Sequence, residues 1–294
     1  MARKALVDGS KDYKERRFQE AEQLFRDAVS RDPNGETVEG RTAQLFLART
    51  LHSEYIGDRK NTAKAEEAIQ EYKKALSFDK NDQSSYKAIA SLLENLQRTD
   101  EWQNWVTERS KNDQIEPQHR AEALVSLSAK QNTCANDITD TEQTKKTITK
   151  DGKQIFQFVK PANEADYQQL KQCVEQGNSL IDQALSLEPD RVKTAKNIDV
   201  KGLSDDELRK TLDLLRVFES ARSYKASLLV QAMRLAEMEG RIPDRDRLKT
   251  ESETAKAAFL ELSEKTKEIQ NEIDARAAAK EAEQNPAAAA NKAK

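Results

Sequence analysis

Two cysteines, two histidines and one glycine-flanked loop are the places where residue type and spacing admit chemistry in this chain. Cys134 and Cys173 are the only thiols. An even pair is compatible with a disulfide in an oxidising compartment and equally with two reduced thiols. His52 and His119 are the only imidazoles, and neither has a cysteine or carboxylate at the spacing of a metal site. The run Gly35-Glu36-Thr37-Val38-Glu39-Gly40-Arg41-Thr42 has the outline of a phosphate loop with arginine in place of lysine. A phosphate loop follows a strand, so that its amides converge at a helix N-terminus. Here a helix ending at Asp32-Pro33 precedes it, and a turn between helices is the better account. No serine sits in a nucleophile elbow. The expectation is a protein that is not an enzyme, with no cofactor and no metal.

The elements that must position these residues are helices. Of the 294 residues, 36% are hydrophobic, 34% are charged and only eight are glycine, a balance typical of helical, heavily solvated surfaces. The 49 basic and 52 acidic side chains nearly cancel, which removes the positive field that nucleic-acid binding requires. No stretch approaches the roughly 18 apolar residues of a membrane span. Residues 1–20 lack the apolar centre of a signal peptide. A soluble chain is expected, with its compartment open.

Gly9, Tyr13, Phe18, Glu20, Ala21, Phe25, Ala28, Asp32 and Pro33 fall at the spacing of a two-helix repeat. Small residues stand where two helices touch, aromatics fill between them, and proline closes the pair. This stretch resembles a tetratricopeptide repeat, of the kind found in bacterial scaffolds, with helices over about 2–16 and 18–31. A second copy places Phe46, Ala48 and Leu51 on its first helix and Ala68, Tyr72, Ala75 and Asp79 on its second. Its inter-helix loop, around Gly57 to Asn61, is expected to be about eight residues longer than that of the first copy. A third copy runs from Ser84 to about Asn112 with Tyr86, Ile89, Ala90 and Leu93 on its first helix. Trp102 stands where the repeat asks for alanine, so Trp102 and Trp105 are either core residues or an exposed aromatic platform. A fourth copy pairs helices at about 117–134 and 164–188, with Gly177, Ile181, Ala184 and Pro189 in register.

An insertion of about thirty residues separates the helices of that fourth copy. Within it, Thr147 to Lys150, the turn Asp151-Gly152, and Lys153 to Val159 read as a two-stranded hairpin. Residues 141–160 carry five lysines and two acids. Ile155, Phe156, Phe158 and Val159 bring more apolar bulk than two strands bury between themselves. Beyond Pro189 a polar connector leads to Ser204-Asp205-Asp206-Glu207, a capping box. One helix of about 36 residues, near 54 Å long, should run to Gly240. Another starts at Pro243 and passes Ile273. Its Ala255, Phe259, Leu262, Thr266, Ile269 and Ile273 alternate steps of four and three, the seam of a coiled coil. The tail from Gln284 has no apolar face and is expected to be disordered on its own.

The resemblance implies an all-α fold: a right-handed α-solenoid of tetratricopeptide-like helix pairs over 1–190, with one inserted β-hairpin at about 140–160. A long antiparallel helical hairpin over 191–283 and a low-complexity tail over 284–294 complete it. In the register of the resemblance Cys134 ends the first helix of repeat four and Cys173 lies near the start of the second. The two then face each other, and a disulfide would staple the insertion at its base with a gain of roughly 4 kcal/mol. A bridge implies a periplasmic or extracellular protein; two reduced thiols imply a cytoplasmic one.

The family's concave surface, carried over by position, holds Leu6, Ser10 and Tyr13, then Leu45, Arg49 and His52, then Lys87, Ser91 and Asn95. The chaperone-tail version of that surface wants lysine and asparagine where Leu6 and Ser10 stand. Arg49 and Lys87 are suited to an acidic or C-terminal carboxylate group of a peptide, or are merely solvated charges. The implied function is a non-catalytic protein-binding scaffold. The alternatives are a structural protein that self-assembles into a homo-oligomer or filament through hairpin, helical arm and tail, with Ile155, Phe156 and Phe158 as the insertion surface, and a regulatory subunit of an enzyme complex.

Overall fold

The computed structural model describes residues 2–284, and the tail anticipated over 284–294 lies, apart from the backbone of Gln284, outside them. The chain divides after His119 into two compact units.

The first unit holds three helix pairs. Helices α1 (Ala2–Lys14) and α2 (Phe18–Ser30) form the first, α3 (Val38–Gly57) and α4 (Thr62–Phe78) the second, α5 (Gln83–Asn95) and α6 (Thr99–Lys111) the third. Ala21, Phe25 and Ala28 are buried on α2, and Ala65, Ala68, Tyr72 and Ala75 on α4, so the small-aromatic-small pattern faces inward in both. The turns inside pairs one and three are built alike. Arg16 and Gln97, each two residues before a second helix, take φ of 59° and 57°. This left-handed step is uncommon for residues other than glycine and reverses the chain in three residues.

One expectation needs adjustment. The extra length of the second pair lies in α3, which has 20 residues against 13 in α1, while its loop is only Asp58 to Asn61. Tyr55, buried after Leu47 and Leu51, continues their stripe past the point where α1 stops, and burying it rewards more helix rather than more loop. In the third pair Trp102 is buried at 6% exposure, in line with the core reading of the two open for it.

The second unit contains most of α7 (Pro117–Thr139), the hairpin β1 (Lys145–Lys150) and β2 (Lys153–Phe158), α8 (Glu164–Ser186), the short α9 (Asp190–Lys193), a 3-10 turn over Ala195–Asn197, and the long helices α10 (Asp205–Met238) and α11 (Ile242–Gln284). Ser204 caps α10 through a capping box with Glu207. Phe218, Leu215, Leu208 and Leu228 of α10 form a core with Leu262 and Ile269 of α11 and with Ile181 and Ala184 of α8. Leu262, Thr266 and Ile269 are the buried centre of the seam on α11, and Ala255, Phe259 and Ile273 are half-buried at its margins. Gly177 lies where α8 packs on Leu228 of α10. A Cβ there would stand 2.5 Å from Leu228 Cδ2, so any side chain would require the buried Leu228 to shift. The polar connector after Pro189 holds α9 and the 3-10 turn, whose Val192 and Ala195 belong to the same core.

Asp151 and Gly152 join the strands with φ of 50° and 73°. Positive φ at both positions is the type I′ turn, whose twist matches that of two antiparallel strands. Lys145 pairs with Phe158 and Lys150 with Lys153 at the two ends of the ladder.

Candidate protein-binding surfaces

On the first unit, α1, α3 and α5 carry the positions expected to face a ligand, and side chains join them into one row. The Tyr13 hydroxyl lies 3.5 Å from Ser53 Oγ, and its ring meets Phe46 edge-on at 5.7 Å. The Arg49 guanidinium lies 5.5 Å from the centre of the Phe46 ring, and its Nη2 donates to Ser84 Oγ at 3.0 Å. Arg49 has no carboxylate partner among the described residues. A guanidinium stacked on a ring and bonded to one neutral hydroxyl keeps donors available for an acid, with its fork already oriented.

His52 packs edge-on against Tyr72 at 6.0 Å, with Nδ1 3.4 Å from the phenolic oxygen. Burial, and then the Arg59 charge, hold its imidazole below the usual range, while burial pushes the Tyr72 phenol up. Leu6 and Leu45 are half-buried; the Ser10 hydroxyl is spent on Leu6 O at 2.7 Å; Lys87, Ser91 and Asn95 are exposed on α5. Ser53 and Ser84 were not anticipated as members of the row. Ser53 was within reach of pattern, since Phe46, Arg49 and Ser53 share one helical face by steps of three and four.

The sign of the His52 shift makes a prediction. An imidazole ordinarily titrates near 6.5, and the folded chain takes the proton only at lower pH. Above pH 6.5 both states carry the neutral ring and the burial costs nothing. As pH falls below 6.5 the unfolded chain gains the proton first and stability is lost. His52→Gln should therefore lessen the decline in urea midpoint as pH falls below 6.5, read by tryptophan emission; an unchanged slope would contradict it.

The glycine-flanked run at 35–42 is the end of the turn after α2 and the first residues of α3, capped by Thr37. The Asp32 carboxylate itself accepts from the amides of Glu36 and Thr37, both at 2.9 Å, and from the Thr37 hydroxyl at 2.6 Å. These bonds, the Thr37 hydroxyl first, hold Asp32 below its ordinary range. The amides that would cradle a phosphate already hold an anion of the chain's own. Trp105 stacks on Tyr86 at 5.8 Å and donates Nε1–H to Tyr86 O at 3.3 Å, which ties the half-buried tryptophan to α5.

In the second unit Cys134 and Cys173 form a disulfide, joining α7 to α8 with Cα atoms 6.1 Å apart. The hairpin beside it is held by β2. Phe158 N donates to Glu237 Oε1 of α10 at 3.2 Å, and the Arg234 guanidinium covers the Phe158 ring at 4.6 Å. Arg234 Nη1 also donates to Thr139 Oγ1 at 3.0 Å. Phe158 is thus half-buried, while Ile155 is 40% and Phe156 58% exposed. Of the three apolar side chains expected on the insertion, one packs on its own unit and two face outward.

No helix among the described residues is long and apolar enough to cross a membrane, and no three carboxylate, histidine or cysteine groups stand together as a metal set among them. No family model matches the chain and no curated protein matches it. Among solved structures, one described as the functional characterization of Pseudomonas aeruginosa pilF is 18% identical, covering 92% of this chain and 97% of its own, at a TM-score of 0.33. A tetratricopeptide repeat protein from Parabacteroides merdae ATCC 43184 is 12% identical, covering 90% and 98%, at a TM-score of 0.33. At these values the likeness assigns the chain neither a family nor a function.

Proposed function

We propose that this chain is a non-catalytic, tetratricopeptide-type scaffold that binds an acidic peptide or a peptide C-terminus on the α1, α3 and α5 face. The carrying observation is Arg49: a cation without an acid partner among the described residues, set on an aromatic platform between two other helices of the row. Tyr13 and Phe46 offer apolar contact beside it, and Lys87 offers a second charge on α5. The disulfide supports a periplasmic or extracellular setting, since such bridges persist where thiols are oxidised.

An array of acidic peptides, each with a free and an amidated C-terminus, tests this reading. The best binder, remeasured by fluorescence anisotropy, should bind Arg49→Ala at least about tenfold more weakly, the loss expected of one charge-assisted hydrogen bond. Equal binding to wild type and variant removes the reading.

Self-assembly is the second reading, favoured by the outward Phe156 and Ile155. Light scattering behind a sizing column separates the two. Mass that grows with concentration supports assembly; a monomer at all concentrations supports the scaffold.

A further inference from the structure

The hairpin has one edge that leans on α10 at Phe158 and one open edge. Val159 N donates to Thr144 O, which makes 144 and 159 a hydrogen-bonded pair. Antiparallel ladders alternate, so the closed pairs continue at 146/157, 148/155 and 150/153. The amides and carbonyls of Thr147 and Thr149 on β1, and of Gln154, Phe156 and Phe158 on β2, therefore point outward. The β2 edge faces α10, where Glu237 takes the Phe158 amide. On β1 the amides of Thr147 and Thr149 have no partner among the described residues.

Charge decides what such an edge accepts. One face of the hairpin carries Lys146, Ile148 and Lys150 along β1, with Ile155 directly across from Ile148 and Lys153 across from Lys150. Lys150 and Lys153 have no ion-pair partner among the described residues, and the Lys146 ammonium is held only by the Glu142 carbonyl, at 2.6 Å. A second hairpin pairing antiparallel through β1 would bring lysine against lysine, the device by which natural edge strands avoid their own kind. A strand with acids opposite Lys146 and Lys150 and an apolar side chain opposite Ile148 meets the reverse situation. It gains two opposite-charge pairs and extends the Ile148–Ile155 pair, of which Ile155 is 40% exposed.

We infer that the β1 edge is a docking site for an extended acidic segment of a partner protein, added as a third strand in the pattern acid, any residue, apolar, any residue, acid. This site is separate from the Arg49 face and stands or falls independently of it.

The probe is a fluorescein-labelled peptide Thr-Glu-Thr-Val-Thr-Glu-Thr, with a counterpart in which lysine replaces both glutamates. The full chain should bind the acidic peptide saturably and the lysine peptide at least about tenfold more weakly. Lys146→Glu with Lys150→Glu should reverse that preference. Thr147→Pro, which removes one outward amide that the hairpin itself does not use, should weaken binding at least about tenfold. Should that proline disturb the hairpin, methylating the peptide's amides on the edge-facing side makes the same test on the unaltered protein. Hydrogen exchange at Thr147 and Thr149 should slow when the peptide is bound, and Arg49→Ala should bind it as wild type does. The inference is overturned if the acidic peptide does not bind, if binding ignores the lysine reversal, if Arg49→Ala abolishes it, or if the Thr147 and Thr149 amides are instead protected by concentration-dependent association of the chain with itself.

Discussion

Replacing both cysteines, Cys134→Ala with Cys173→Ala, should lower the unfolding free energy by about 4 kcal/mol, because the bridge closes a separation of 39 residues. Tying those ends together removes conformations from the unfolded chain, and the gain grows with the logarithm of the loop. Cys173 is buried among Leu170, Val174, Tyr167, Ala135 and Leu235, so alanine is the better replacement; serine would bury a hydroxyl there. The urea midpoint followed by far-ultraviolet circular dichroism should fall by at least about 1 M. Peptide mapping without reductant should show the segments containing Cys134 and Cys173 linked, as a direct check. A double variant that melts with the wild type would mean that the bridge contributes nothing to folding. The hairpin lies wholly inside the closed loop, and its base leans on α7 and α10 through Thr139, Arg234 and Phe158. Loss of the bridge should therefore raise amide exchange in β1 and β2 more than in α11.

Phe25→Ala should cost about 3–5 kcal/mol in the first unit, the range for truncating a fully buried phenylalanine. The ring has no exposed surface, and it fills the space left by Gly9, where a Cβ would come within 2.9 Å of it. It also lies 5.5 Å from Phe46, so the void would open beneath the ring on which Arg49 rests. The effect is separable, since both tryptophans sit on α6 of the first unit and their emission reports that unit. The midpoint read by tryptophan should drop, and Phe25→Leu, which keeps most of the volume, should drop it less. A shift under about 1 kcal/mol would show that the first pair collapses around the hole and that the packing inferred for Gly9 and Phe25 is loose.

Much of this architecture was legible in the residues because the interactions responsible are short-range. The pairing of α1 with α2, the inward face of α4, the capping box at Ser204, the seam of α11 and the Asp151-Gly152 turn each depend on groups within a few positions of one another. Hydrogen bonds from i to i+3 or i+4 and the sign of φ at a turn are decided locally, and a repeat carries the same local answer from copy to copy. The left-handed step at Gln97 went unread in the third copy although it matches Arg16, since no glycine announces it.

Other features rested on distances that no spacing reveals. The extra residues of the second pair became helix rather than loop because Tyr55 continued the buried stripe of Leu47 and Leu51. In the candidate site, Arg49, Tyr13 and His52 came from repeat register, but their partners Ser84, Ser53 and Tyr72 lie 35, 40 and 20 residues away. On the hairpin, composition pointed to surplus apolar bulk, and only the approach of α10 settled that Phe158 is covered while Phe156 is not. Local chemistry thus determined which elements form and which faces are apolar. Which faces meet, and so which polar and apolar side chains are left outward for a partner, was decided by packing between segments far apart in the chain.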